Sequence, residues 1–123
     1  MTRHVIDASA ALAHLLNEAG GNRVLPHLKD GLISAVNLSE VVTRLIRAGV
    51  DPMRADYLGW TVMDHDPDLA RRTGRLWPLT AHLGLSLADR ACLALALREG
   101  LPVLTGDRAW ASLDLGVDVV LIR

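Results

Sequence analysis

The sequence predicts an α/β fold in which helices cover a parallel sheet on both faces. Short, unbroken apolar runs alternate with longer helix-forming segments. Strands buried on both faces are written as such runs, whereas half-exposed strands alternate apolar and polar residues. The chain has 123 residues, 50% of them hydrophobic. That is one ordinary domain with enough apolar side chains for a core. A single domain over residues 1–123 is expected.

Residues 3–6 (RHVI) are the first strand, ending at Asp7. Residues 8–17 are helix formers, with Ala11, Leu12, Leu15 and Leu16 on one face. Gly20-Gly21 breaks that helix, and residues 22–29 suggest a second short one limited by Pro26. Residues 32–36 (LISAV) are the next buried strand, and Asn37-Leu38-Ser39-Glu40 opens a helix to about Ala48. Asp51-Pro52 starts another helix, with proline at its first position. Residues 61–63 form a weak strand, and Asp66-Pro67 starts a helix to about Leu76. Ser86 opens an apolar helix to Glu99 that Gly100 ends. Residues 102–105 form a strand, Gly106-Asp107 a turn, 108–112 a helical piece and 117–122 the last strand.

Composition narrows the function. The net charge of −1 excludes a generic polycation, so any nucleic-acid contact needs a local patch. Arginine carries nearly all the positive charge, since Lys29 is the only lysine. Its guanidinium suits bidentate phosphate contacts. Phenylalanine is absent and Tyr57 is the only tyrosine, which argues against a base-stacking platform. The lone cysteine, Cys92, allows neither an internal disulfide nor a cysteine metal site. With no apolar leader at residues 1–7 and no charge-free run longer than Ala91–Leu97 in the last helix, a reduced cytosol is the simplest setting and no membrane is expected.

Parallel α/β sheets collect functional groups at the carboxyl ends of their strands. Four acids fall there: Asp7 after the first strand, Glu40 just beyond the strand 32–36, Asp89 in the first turn of the helix from Ser86, and Asp107 after the strand 102–105. Each has a bland reading. Asn37-x-x-Glu40 and Ser86-x-x-Asp89 resemble capping boxes, and Asp7 and Asp107 can cap the elements that follow them. However, Asp89 and Arg90 are the only charges in a helix that reads as buried nearly all round. A buried carboxylate needs an ion pair, for which Arg90 is the simple partner, or a metal. Gathered carboxylates repel one another, and a hard divalent cation such as Mg²⁺ or Mn²⁺ relieves that repulsion while leaving room for a phosphate. Such a site suits phosphodiester hydrolysis.

The segments Val5-Ile6-Asp7-Ala8-Ser9-Ala10, Asn37-Leu38-Ser39-Glu40-Val41, Leu85-Ser86-Leu87-Ala88-Asp89-Arg90-Ala91 and Leu104-Thr105-Gly106-Asp107-Arg108 resemble the signature blocks of PIN domains. More narrowly, the chain is similar to the VapC toxins of bacterial type II toxin–antitoxin modules. The resemblance covers essentially the whole chain. It implies a Rossmann-like α/β/α sandwich with a central parallel sheet, and Mg²⁺- or Mn²⁺-dependent endoribonuclease activity. It also implies a homodimer and a cognate antitoxin whose tail fills the active site. By this resemblance Asp7, Glu40, Asp89 and Asp107 are the catalytic and metal-binding acids, and Ser9 and Thr105 support them.

Arg90 and Arg108, each flanking an acid, are candidates for RNA phosphate contact or for ion pairing. Arg71, Arg72 and Arg75 read as a solvated helix face, and Asp114 and Asp118 are minor candidates for metal or support roles. Residues 64–68 (DHDPD) lack the glycine and glutamate of a calcium loop, and the histidines show no zinc spacing. A dehalogenase-type phosphatase needs an acid where Ser9 stands, and no P-loop or receiver-domain lysine is present. The alternatives are a catalytically idle PIN-like module that only binds a partner, and a housekeeping or maturation ribonuclease.

Overall fold

The computed structural model describes residues 2–123. Its strands are β1 (Val5–Ile6), β2 (Leu32–Ser34), β3 (Thr61–Met63), β4 (Val103–Thr105) and β5 (Val119–Leu121). They form one sheet in the order β3-β2-β1-β4-β5, and every pairing is parallel. The α-helices are α1 (Ala8–Leu15), α2 (Gly21–Leu28), α3 (Ala35–Arg47), α4 (Pro67–Arg75), α5 (Trp77–Thr80) and α6 (Leu87–Glu99). This is the expected α/β sandwich.

Neighbouring strand residues serve opposite faces. Ile6, Ile33 and Leu104 join α1, α2 and α3 in one core cluster; Val5, Leu32 and Val103 join α4, α6 and Trp110 in the other. All six are 0–4% exposed. The central strands β1, β2 and β4 are therefore covered on both faces, which is why they read as continuous apolar runs, whereas the edge strands β3 and β5 are partly exposed.

Several expected boundaries move. The strand expected over 32–36 stops at Ser34, whose hydroxyl accepts the Val36 N–H at 3.2 Å and caps α3. Helix α3 thus starts three residues before Glu40 was expected to find its first turn, and Glu40 lies in the second. The helix expected from Asp51-Pro52 is only a 3₁₀ segment, Pro52–Tyr57, with Ala55 its one buried residue. Too little apolar surface faces the core there to hold a full helix. Helix α5 was not expected at all. In residues 64–68, Asp66 caps α4 through the Leu69 N–H, and Arg98 pairs with Asp66 at 3.0 Å.

The strand order sets the position of the site. From β1 the chain builds outward through β2 to β3, then returns to place β4 on the other side of β1. The direction of winding reverses between β1 and β4, and in such sheets the carboxyl ends at that reversal border a crevice. Asp7 directly follows β1, and Gly106-Asp107 directly follows β4. No helix among the described residues is long and apolar enough to cross a membrane.

Candidate active site

Asp7 stands at the N-cap position of α1 but makes no capping hydrogen bond. Its Oδ2 instead accepts from Ser9 Oγ at 2.5 Å and from Thr105 Oγ1 at 2.9 Å. The two hydroxyls in turn accept from the turn after β4: Ser9 Oγ from the Gly106 N–H at 2.9 Å, and Thr105 Oγ1 from the Asp107 N–H at 3.0 Å. The two hydroxyls also stand 3.2 Å from each other, and when both donate to Asp7 they favour its ionised carboxylate. Asp7 is nevertheless 3% exposed. Burial pushes its pKa up to about 6 against the pull of the two hydroxyls, and the charges of Asp89 and Glu40 push the same way.

Glu40 is half-buried on α3. Burial raises its pKa, the Asn37 amide and Arg44 oppose the rise, and the charge of Asp89 adds to it. Asp89 belongs to a capping box at the start of α6. Its Oδ2 accepts the Ser86 N–H at 2.9 Å, while the Ser86 hydroxyl accepts the Asp89 N–H at 3.1 Å. The cap reading and the site reading of Asp89 are compatible, because capping occupies only one oxygen. The charges of Asp7, Glu40 and Asp89 also reach the buried Cys92 thiol and raise its pKa, after burial as the main cause.

Asp7, Glu40 and Asp89 therefore come from three separate elements into mutual electrostatic range. Asp107 is tied to this network by its backbone, whose N–H donates to Thr105 Oγ1, and not by its carboxylate. Its carboxylate caps the 3₁₀ segment Arg108–Ser112, with Oδ1 accepting the Ala109 N–H at 3.0 Å. Among the described residues, the ion pairs are Arg72–Asp68, Arg98–Asp66 and Arg98–Asp68, and none involves these four acids. Nor do any three Asp, Glu, His or Cys side chains close around one point as a finished metal cage. The donor set is all oxygen and negative, and among the described residues no salt bridge neutralises it, Arg44 acting on Glu40 only at longer range, which fits a hard divalent cation.

Arg90 does not pair with Asp89. Its Nη1 donates to the Thr73 carbonyl at 3.0 Å, in the last turns of α4, and its Nε is buried without a partner. Successive residues on a helix point in different directions, so Asp89 can face the cleft while Arg90 ties α6 to α4. Arg108 is exposed, with Nε donating to the Arg123 carbonyl at 3.3 Å. Asp118 lies at the opposite edge of the sheet, where its carbonyl accepts from the Val103 N–H at the start of β4, and Asp114 is exposed. Arg71, Arg72 and Arg75 are exposed on α4.

Sequence reasoning missed two residues at this edge. Asn37 is fully buried between Glu40 and the first turn of α6. Arg123 lays its guanidinium over Gly106, where a Cβ would stand 2.9 Å from Nη2, and its Nη1 donates to the Ala19 carbonyl at 3.0 Å. The missing side chain at Gly106 makes room for that arginine beside the Asp107 turn. No local pattern signals either contact, although Asn37 was visible as part of N-x-x-E.

The PIN domain family model matches residues 4–115. The chain belongs to the PIN domain family. Solved PIN structures resemble it over their whole length. A toxin–antitoxin complex from Klebsiella pneumoniae is 19% identical, with a TM-score of 0.77 and 98% of each chain covered. A DNA-bound VapBC from Salmonella typhimurium is 20% identical, with a TM-score of 0.75 and both chains fully covered. VapC20 of Mycobacterium tuberculosis, a toxin that cleaves the sarcin–ricin loop, is 18% identical, with a TM-score of 0.72 and 93% and 98% covered. At these identities the likeness establishes the fold. No curated protein matches the sequence significantly.

Proposed function

We propose that this PIN domain is a Mg²⁺- or Mn²⁺-dependent endoribonuclease, with Asp7, Glu40, Asp89 and Asp107 as its catalytic acids. The observation that supports the reading is the mutual repulsion of Asp7, Glu40 and Asp89 near the strand-order reversal, with no salt bridge to any of them among the described residues. Asp7, Glu40 and Asp89 would hold the cation, with Asp107 beside them. A bound cation there would lower the pKa of a water and offset charge building on the phosphate. Ser9 and Thr105 hold the Asp7 carboxylate in place, and the Ser86 backbone holds that of Asp89. Arg108 is available to an RNA phosphate, whereas Arg90 is engaged in joining two helices.

The same reading makes the chain the toxin of a toxin–antitoxin module working in the cytoplasm. Four of the structural relatives are described as toxin–antitoxin or VapBC proteins. Exposed apolar side chains, Ile46 on α3 with Met53 and Tyr57 after it and Trp77 and Leu79 on α5, offer surfaces for a homodimer and for an antitoxin.

The test is cleavage of total RNA by partner-free protein in Mg²⁺, in Mn²⁺ and in EDTA, beside folded Asp7→Asn and Glu40→Gln variants. Metal-dependent cleavage that both variants lose is the expected result. Cleavage that persists in both variants would show the acids idle and bring the partner-binding module forward.

A further inference from the structure

The amide of Asn37 has no role in capping α3, because Ser34 already does that. An asparagine inside a helix competes with the backbone for hydrogen bonds, and a buried primary amide is unfavourable unless all its groups are paired. Asn37 is fully buried, and its Oδ1 has no partner. Its Nδ2 is placed between two of the acids. It donates to the Ala88 carbonyl at 3.0 Å, one residue before Asp89, and lies 3.5 Å from Glu40 Oε1, one turn along the same face of α3. One neutral donor therefore spans α3 and α6 where two carboxylates repel each other. An apolar side chain would fill the position without a stranded acceptor, so packing does not account for the amide.

We propose that Asn37 is a positioning residue: it orients the Glu40 carboxylate and fixes its spacing from Asp89, and so sets the affinity of the site for a divalent cation. The proposal rests on the metal-dependent reading above for the ligand, but not on RNA being the substrate. Neutral Asn37 serves here where an acid would add to the repulsion and a leucine would leave Glu40 free to swing outward.

The test is calorimetric titration of Mn²⁺ into wild-type, Asn37→Leu and Asn37→Ala protein, with Glu40→Gln as the reference for a lost ligand. Leucine keeps the volume and alanine avoids any clash, so one folded variant suffices, with circular dichroism as the check. Groups that orient metal ligands change affinity by about tenfold to a hundredfold, and a weakening of that size is expected. RNA cleavage by the variants should recover as Mn²⁺ is raised, with KM for RNA unchanged, which a general loosening of the fold would not give. Folded variants that bind Mn²⁺ within about twofold of wild type overturn the role of Asn37 and leave the nuclease reading standing. Wild-type protein that takes up no Mn²⁺ overturns both. Wild-type protein that binds Mn²⁺ but cleaves no RNA sinks the nuclease reading alone, and the difference in affinity still decides on Asn37.

Discussion

Asp7 is 3% exposed and takes two hydroxyl hydrogen bonds on Oδ2, whereas half-buried Asp89 spends Oδ2 on the Ser86 backbone. The first carboxylate is charged at the expense of the fold, because burial raises its pKa from 3.8 to about 6. The second serves the fold by closing a helix end. On the proposed reading, function and stability oppose each other at Asp7, and at Asp89 they would be carried by different oxygens of one group.

The largest expected effect is at Asp7. Asp7→Asn should lower RNA cleavage by about a thousandfold or more, as losses of core catalytic groups do. It should also raise stability in EDTA. Above pH 3.8 the unfolded chain releases the Asp7 proton while the folded chain keeps it to about pH 6. The wild type therefore loses stability as pH rises through that window, and the penalty stays constant above it. Two pKa units correspond to about 3 kcal/mol. Denaturant unfolding at pH 4 and pH 7 should show the variant gaining on the wild type as pH rises. A gap that is constant with pH would show that Asp7 is not strained in the folded state.

Thr105→Val sharpens the same point. Valine keeps the shape but removes a donor from Asp7 and the acceptor for the Asp107 N–H. The expected loss is about 1–3 kcal/mol at pH 7. It should shrink near pH 4, where a protonated Asp7 needs fewer donors. At the other carboxylate, Ser86→Ala removes the hydroxyl half of the capping box and should cost about 1 kcal/mol. Cleavage by folded Ser86→Ala should persist, whereas Asp89→Asn should abolish it. If Ser86→Ala also abolishes cleavage, the two duties of Asp89 are not separable.

The parallel sheet was legible because pairs such as Val5-Ile6 and Leu32-Ile33 have to satisfy a core on each side, leaving no polar residue inside the strand. The strand-end acids were legible because sheet topology decides what lies at the carboxyl edge. The Ser86–Asp89 box was legible because capping is local. Asn37 was misread because N-x-x-E describes a helix start and a buried helix face equally well. The choice falls to Ser34, which outcompetes Asn37 as the cap from three residues earlier. The ion pair with Asp89, one of the two readings offered for Arg90, does not form because adjacency in sequence is not adjacency on a helix; Arg90 instead donates to the Thr73 carbonyl, 17 residues away.

The smallest predicted effect concerns Arg123, which the sequence left unmarked because its neighbours Gly106 and Ala19 are distant along the chain. Its guanidinium lies over Gly106 beside the Asp107 turn, and it forms no salt bridge among the described residues. On the proposed nuclease reading, an RNA strand at the site would bring phosphates past that turn, and an exposed guanidinium would meet them in solvent, where each charge contact is worth little. Arg123→Gln should therefore raise KM for RNA by only about threefold, with kcat unchanged, and should lower the salt slope of binding by about one. Stability should change by no more than about 0.5 kcal/mol, as for most exposed substitutions. A fall in kcat with unchanged KM would place Arg123 at the reacting phosphate rather than along the strand. An unaltered salt slope would mean that its bond to the Ala19 carbonyl, which holds the end of β5 against the loop after α1, is its whole role.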